Sequence, residues 1–192
     1  MIFGRRGRRN EGDDQIVIGP MTRRLVPEVL EIETRIFPRP WTANLYYSEL
    51  AQPESRIYRV ATVAGAVVGY IGCMVVIDEG HITTVGVSPE WHRRGIATRL
   101  LHTAATEAID RGVKSLTLEV RMTNTGAQDL YRAFGFVPAG IRKNYYPEVN
   151  EDGLVMWASD VDAPAYRERI DALLAKVEAT GLDRRDGATS GG

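Results

Sequence analysis

Apolar residues recur along the chain with two periods, and the switches between them mark the elements. Gln15–Gly19 reads as a short strand. Leu25, Val29, Ile32 and Ile36 then repeat at helical spacing, with Thr22 placed to cap their N-terminus. Phe37-Pro38-Arg39-Pro40-Trp41 breaks that helix, and Thr42 can cap a second one running through Leu45 and Leu50. Three β-rich runs follow, Arg56–Ala64, Ala66–Ile77 and His81–Val87, read as successive antiparallel strands. From Gly95 to Arg111 the pattern is helical again, with Ala97, Leu100, Leu101, Ala104, Ala105 and Ala108 facing inward and Gly112 ending the run. Ser115–Arg121 alternates as a strand, and Asn124–Phe134 is a helix with Ala127, Leu130 and Phe134 on one face, stopped by Gly135. Phe136–Lys143 and Gly153–Trp157 are closing strands.

Two segments stand outside this alternation of helix and strand. Met1–Asp14 mixes Arg5, Arg6, Arg8 and Arg9 with glycines and acids and reads as a disordered basic tail, either simply solvated or making a weak RNA contact. Beyond Trp157, Tyr166, Ile170, Leu173, Leu174 and Val177 form an amphipathic helix that docks on its own core or on a partner. The expected organisation is a tail over 1–14, a domain over 15–160, a helix over 161–180 and a flexible tail over 181–192.

Composition narrows the chemistry. The chain has 192 residues and a formal net charge of −1, which suits one domain and gives no footprint for bulk DNA binding. Cys73, the one cysteine, lies in an apolar run, and His81, His92 and His102 lack metal-ligand spacing, so neither a disulfide framework nor a metal site is expected. Ala61–Ile77 is uncharged, but its glycines and β-branched residues fit two strands better than a membrane span. With no apolar signal region after the N-terminal arginines, the expected location is cytoplasmic.

The densest chemical signal lies between the third β-run and the helix after it. Pro89 ends an apolar strand, and the basic, glycine-bearing turn His92-Arg93-Arg94-Gly95-Ile96-Ala97-Thr98 opens into the helix. Free amides and the helix dipole make such a mouth an anion site; Gly95 admits a phosphate closely, and Arg93, Arg94 and Arg99 add charge. Neither a nucleoside triphosphate loop nor Gly-x-Gly-x-x-Gly is present. The turn resembles the Gln/Arg-x-x-Gly-x-Gly/Ala pyrophosphate loop of the GNAT acetyltransferases, with His92 departing at its first position.

Two further residues could act in catalysis. Glu119 shares the less apolar strand face with Thr117 and Arg121, and is either a catalytic carboxylate or half of an ion pair with Arg121 or another cation. Tyr131, off the helix stripe, either reaches a cleft or is a boundary tyrosine.

Glu119-Val120-Arg121, Asn124, Leu130-Tyr131, Gly135-Phe136 and Arg142-Lys143-Asn144-Tyr145-Tyr146 together resemble the RimI-type ribosomal protein alanine N-acetyltransferases within the GNAT superfamily, over about Gln15–Trp157. The resemblance implies an α/β fold in which a mostly antiparallel mixed sheet, splayed at the cofactor site, is flanked by helices. It implies acetyl-CoA as co-substrate and a ribosomal protein N-terminus as acceptor. It implies Glu119 as general base, Tyr131 as general acid, and coenzyme contacts from Val85, Gly86 and Val87, from Arg93, Arg94, Gly95, Ile96, Ala97 and Thr98, and from Asn124. Tyr145 and Tyr146 would hold acceptor peptide; Phe37 and Trp41 would wall its cleft, or close the core instead.

Elementary acid–base chemistry agrees with an α-amine acceptor. Near its pKa of ~7.8, roughly a tenth of an α-amine is neutral at pH 7, against about one part in 2,500 for a lysine. Burial is expected to raise the Glu119 pKa and so strengthen it as a base. Asp78, Glu79, Glu148, Glu151 and Asp152, at loop edges, either attract a cationic peptide or serve solubility. Alternatives at this level are an acetyltransferase for lysine or a small amine, a silent acyl-coenzyme A binding module, and a ribosome-associated protein acting through its tails.

Overall fold

A computed structural model describes residues 15–186. The expected basic tail over 1–14 and the last residues, 187–192, lie outside the described part. The elements follow in the order β1 (Val17–Pro20), α1 (Val26–Ile36), α2 (Ala43–Leu50), β2 (Arg56–Val63), β3 (Ala66–Val76), β4 (Glu79–Val87), α3 (Ile96–Asp110), β5 (Ser115–Arg121), α4 (Thr125–Ala133), β6 (Val137–Tyr146), β7 (Glu151–Ser159) and α5 (Pro164–Asp186).

The seven strands form one mixed sheet in the order β1-β2-β3-β4-β5-β7-β6. Every neighbouring pair is antiparallel except β4 and β5, which run parallel. A parallel pair needs a crossover, and α3 supplies it. That one parallel pairing also ends early: it runs from Glu79↔Ser115 to Ile82↔Leu118 and no further. Beyond it the two strands part, while the other edge of β4 stays paired with β3 as far as Gly69↔Val87. The upper half of β4 therefore presents a free strand edge in the middle of the sheet.

Alternation along the strands feeds a core on each face. Ile57, Ala61, Ile71 and Cys73 pack with Leu100, Leu101, Ala104 and Ala105 of α3 and with Phe134, Tyr166 and Ile170. Tyr58, Val60 and Tyr70 point the other way, onto Val26, Val29 and Ile32 of α1 and Tyr46 of α2. A Cβ on Gly86 would lie 2.4 Å from the Tyr70 ring, so glycine at that point of β4 leaves room for the aromatic.

Local expectations meet three corrections. Thr42 does cap α2, accepting from the Leu45 amide at 3.3 Å, but Thr22 makes no such bond. A 3₁₀ turn, Arg23–Leu25, comes first, and α1 starts at Val26 with Pro27 in its opening turn, where a missing N–H costs nothing. On α4 the expected face is too narrow: Phe134 is buried and Ala127 and Leu130 pack partly buried against the core, but Gln128 and Tyr131 are buried as well. The C-terminal helix does not stop at 180; it runs through Gly181 to Asp186. One glycine costs a helix only about 1 kcal/mol, and no proline intervenes to end it. This helix docks on its own domain, with Tyr166 and Ile170 buried.

Candidate active site

A cleft of about 1010 Å³ follows the parting of β4 and β5 and joins two chemically different ends. At one end lies the turn before α3. Gly95 takes φ +74°, the left-handed region that suits glycine, and leaves the α3 amides open at the helix mouth. Arg93, Gly95, Ile96, Ala97 and Thr98 line the cleft here, with Val85, Gly86 and Val87 of β4 and Asn124 opposite. His92 also lines it, its Nε2 lying 2.9 Å from the Val87 carbonyl oxygen. Asn124 caps α4, its side-chain oxygen accepting from the Ala127 amide at 3.2 Å. Arg94 is not brought to the cleft; its guanidinium stacks 4.6 Å from the centre of the Trp91 ring. Arg99, one turn into α3, is bound by Glu178 of α5 at 2.8 Å.

The opposite end is aromatic. Phe37 and Trp41, from the α1–α2 loop, wall the cleft and also pack on the second core. Facing them, Tyr145 and Tyr146 from the end of β6 meet edge to face, ring centres 5.1 Å apart. The aromatic loop has a buried anchor that the apolar pattern passes over. Glu33 is 1% exposed; it accepts from the Tyr46 hydroxyl at 2.5 Å and from the Trp41 amide at 3.2 Å. Its position among Val29, Ile32 and Ile36 puts an acid on the inward face of α1, which was the available signal.

Glu119 sits where the two ends meet, its side chain only 6% exposed. It is ion-paired, though not with Arg121: the His81 ring donates from Nε2 to Oε2 at 2.7 Å, and Arg142 approaches Oε1 at 3.1 Å. The hydrogen bond from His81 outweighs burial, and with Arg142 it holds the Glu119 carboxyl below the usual carboxylate range. The expected upward shift is therefore reversed. His81 was missed as a site residue because only the parallel register, which sets it beside Thr117, brings it to Glu119.

Tyr131 reaches the cleft from α4 while its ring tilts against Phe136 at 5.9 Å. Burial pushes its phenol up to about 12, so it carries its proton throughout the neutral range. Of the five acidic loop residues, Glu148 alone lines the cleft. Asp152 holds Lys143 and the Asn144 amide, Glu151 accepts from the Thr123 amide at 2.6 Å, and Asp78 faces Lys114 at 4.0 Å. Cys73 is buried, its thiol raised to about 12, and serves as core. Among the described residues, no three His, Cys, Asp or Glu side chains converge as metal ligands, and no helix is long and apolar enough to cross a membrane.

The arrangement fits a long ligand with an anionic middle and an extended arm. The open amides before α3 suit a diphosphate, and the unpaired edge of β4 can bond an amide-bearing chain as an added strand would. Comparison with known proteins points the same way. The Acetyltransferase (GNAT) family profile matches residues 26–136, more than half of the chain. A Bacillus subtilis protein provisionally named [ribosomal protein bS18]-alanine N-acetyltransferase is 37% identical over 134 residues, covering 70% of this chain and 89% of the relative. The Mycobacterium tuberculosis N-alpha-acetyltransferase RimI is 33% identical over 150 residues, covering 74% and 92%. The crystal structure of the ribosomal-protein-S18-alanine N-acetyltransferase from Escherichia coli superposes with a TM-score of 0.70 at 32% identity, over 76% of this chain and 94% of that one. Seven-stranded mixed sheet, free β4 edge and open helix mouth thus have one explanation: the chain belongs to the GNAT acetyltransferase family, enzymes that take their acetyl group from acetyl-coenzyme A.

Proposed function

We propose that this protein acetylates the N-terminal α-amine of a protein, the acceptor being the N-terminal alanine of the small-subunit ribosomal protein bS18, in the cytoplasm where ribosomal proteins are made. The observation that carries this reading is Glu119 at the junction of a diphosphate-type mouth and an aromatic-walled end within one cleft. The similarity to bS18-alanine acetyltransferases supports the choice of acceptor.

Acetyl-coenzyme A supplies an activated acyl carbon; the protein's own groups do the rest. Backbone amides at the unpaired end of β4, in Val85–Val87, stabilise negative charge as it develops on the acyl oxygen; losing one such donor typically costs about 10²–10³ in rate. Glu119 stays ionised and attracts the incoming α-ammonium. An α-amine is partly neutral at pH 7, so the carboxylate does not have to deprotonate a lysine-like group. Once the C–N bond forms, the nitrogen carries positive charge and becomes strongly acidic, and a carboxylate of low pKa then suffices to accept its proton. Tyr131, still protonated, gives its phenolic proton to the departing sulfur as the C–S bond breaks and regains one through solvent. Tyr145, Tyr146, Phe37 and Trp41 hold the first residues of the peptide.

Initial rates test the acceptor class. The enzyme is mixed with acetyl-coenzyme A and either a free bS18 N-terminal peptide, the same peptide with its α-amine blocked, an internal-lysine peptide or a polyamine. Turnover of the free α-amine peptide alone is expected. Equal or faster turnover of the blocked peptide, of lysine or of the polyamine overturns the assignment.

A further inference from the structure

We propose that α5 carries an internal anion that competes with coenzyme A for the mouth of α3, so that Glu178 and Val177 set coenzyme affinity. This rests on the reading that the coenzyme diphosphate docks on the turn before α3.

The helix lies antiparallel along α3, and three side-chain pairs mark its register. Arg167 bonds Asp110 at the far end of α3, Asp171 meets His102 in the middle, and Glu178 reaches Arg99 in the opening turn. Arg169 adds a bond to the Ala133 carbonyl oxygen at the end of α4. The α5 backbone is thereby aimed along α3 at its N-terminus. One residue before Glu178, Val177 covers the glycine of the turn: a Cβ built on Gly95 would lie 2.0 Å from Val177 Cγ1. Val177 thus abuts Gly95, a residue of the cleft wall, from the α5 side, and the Glu178 carboxylate lies next to it on Arg99.

The chemistry of the contact is that of a substitute ligand. The mouth of α3 combines open amides, the positive end of the helix dipole and Arg99, and so favours an anion. Glu178 provides a single negative charge where a diphosphate would bring more. Among the described residues the Arg99 Nε is buried with no partner, so Glu178 leaves a donor of that guanidinium unused. Glu178 itself is half exposed, which makes the pair weak and readily displaced. The family match ends at residue 136, so this device belongs to the part of the chain that the GNAT profile does not reach.

Calorimetric titration of the full chain with coenzyme A tests the proposal, using Glu178→Gln and Val177→Ala, both at positions outside the buried core. An exposed ion pair of this kind predicts that Glu178→Gln tightens coenzyme A by about two- to fivefold. In an Arg99→Gln background the same change should have no effect, since the carboxylate then has nothing to release. Val177→Ala should also tighten binding, and hydrogen exchange of the amides around 175–180 should quicken when coenzyme A is added. Unchanged or weaker binding in Glu178→Gln, or slower exchange in α5 with coenzyme, overturns the competition and makes α5 a bystander or a wall of the site. Absence of coenzyme A uptake by wild type and variants alike would instead remove the diphosphate reading itself, and the competition with it.

Discussion

His81 and Arg142 keep Glu119 charged against the cost of its burial, and that balance makes definite predictions at the scale of single residues. Removing His81 takes away the largest cause of the lowered pKa. In His81→Ala the Glu119 pKa should rise toward the ordinary carboxylate value, seen directly by carboxyl NMR and as an acid limb of kcat/KM displaced to higher pH. The linked stability has a fixed sign. A carboxyl with a depressed folded-state pKa contributes stability above its unfolded value near ~4.3, and loses it as pH falls through the folded value. His81→Ala should therefore narrow the acid side of the stability profile measured by denaturation. Glu119→Gln and Tyr131→Phe should each lower kcat by about 10²–10⁴ with little change in coenzyme affinity, since in the proposed mechanism Glu119 accepts a proton and Tyr131 gives one. Equal turnover by either variant would remove the role assigned to that residue. Glu119 was singled out by strand alternation and Tyr131 by its place off the α4 stripe, while the roles given to them come from the family resemblance. The direction of the Glu119 shift was not legible, because its partner lies 38 residues away and only the sheet brings the two together.

At the scale of elements, the hydrophobic periods located the helices and strands well, and the errors cluster where side chains or long-range contacts decide. Thr22 had the chemistry of a cap, yet the turn Arg23–Leu25 intervenes before α1 begins. The α4 face is broader than its apolar stripe because Tyr131, an amphipathic side chain, and Gln128 are buried beside Ala127, Leu130 and Phe134. The α1–α2 loop shows what periodicity cannot supply: its position depends on Glu33, a buried acid with two partners. Glu33→Ala leaves the Tyr46 hydroxyl and the Trp41 amide unpaired, a loss of about 1–3 kcal/mol for each buried group left unsatisfied. The expected signature is reduced stability together with a raised KM for peptide, while calorimetry shows coenzyme affinity unchanged. At the other end of the cleft, Gly95→Ala meets a left-handed backbone, costing about 1–2 kcal/mol, as well as Val177 directly above it. That variant should be less stable by thermal denaturation.

Across the whole molecule, one parallel pairing in an otherwise antiparallel sheet opens the cleft, and most of the candidate site residues line that opening. The short reach of the β4–β5 pairing was not visible in either strand's sequence; it came only as an implication of family resemblance, and the register bears it out. The C-terminal helix follows a polar break, and of the two docking options it takes its own core, where Tyr166 and Ile170 join α3 and the sheet. Ile170→Ala should cost about 2–5 kcal/mol and lower the melting temperature of the protein as one unit. The most direct test of the account is to place the acetyl group. Intact bS18 with a free N-terminal alanine is incubated with the enzyme and acetyl-coenzyme A, and tandem mass spectrometry locates the modification. A single acetyl on the alanine α-nitrogen, lost with Glu119→Gln, is expected; acetyl on lysine side chains, or none despite measurable coenzyme binding, refutes N-terminal acetyl transfer at this site.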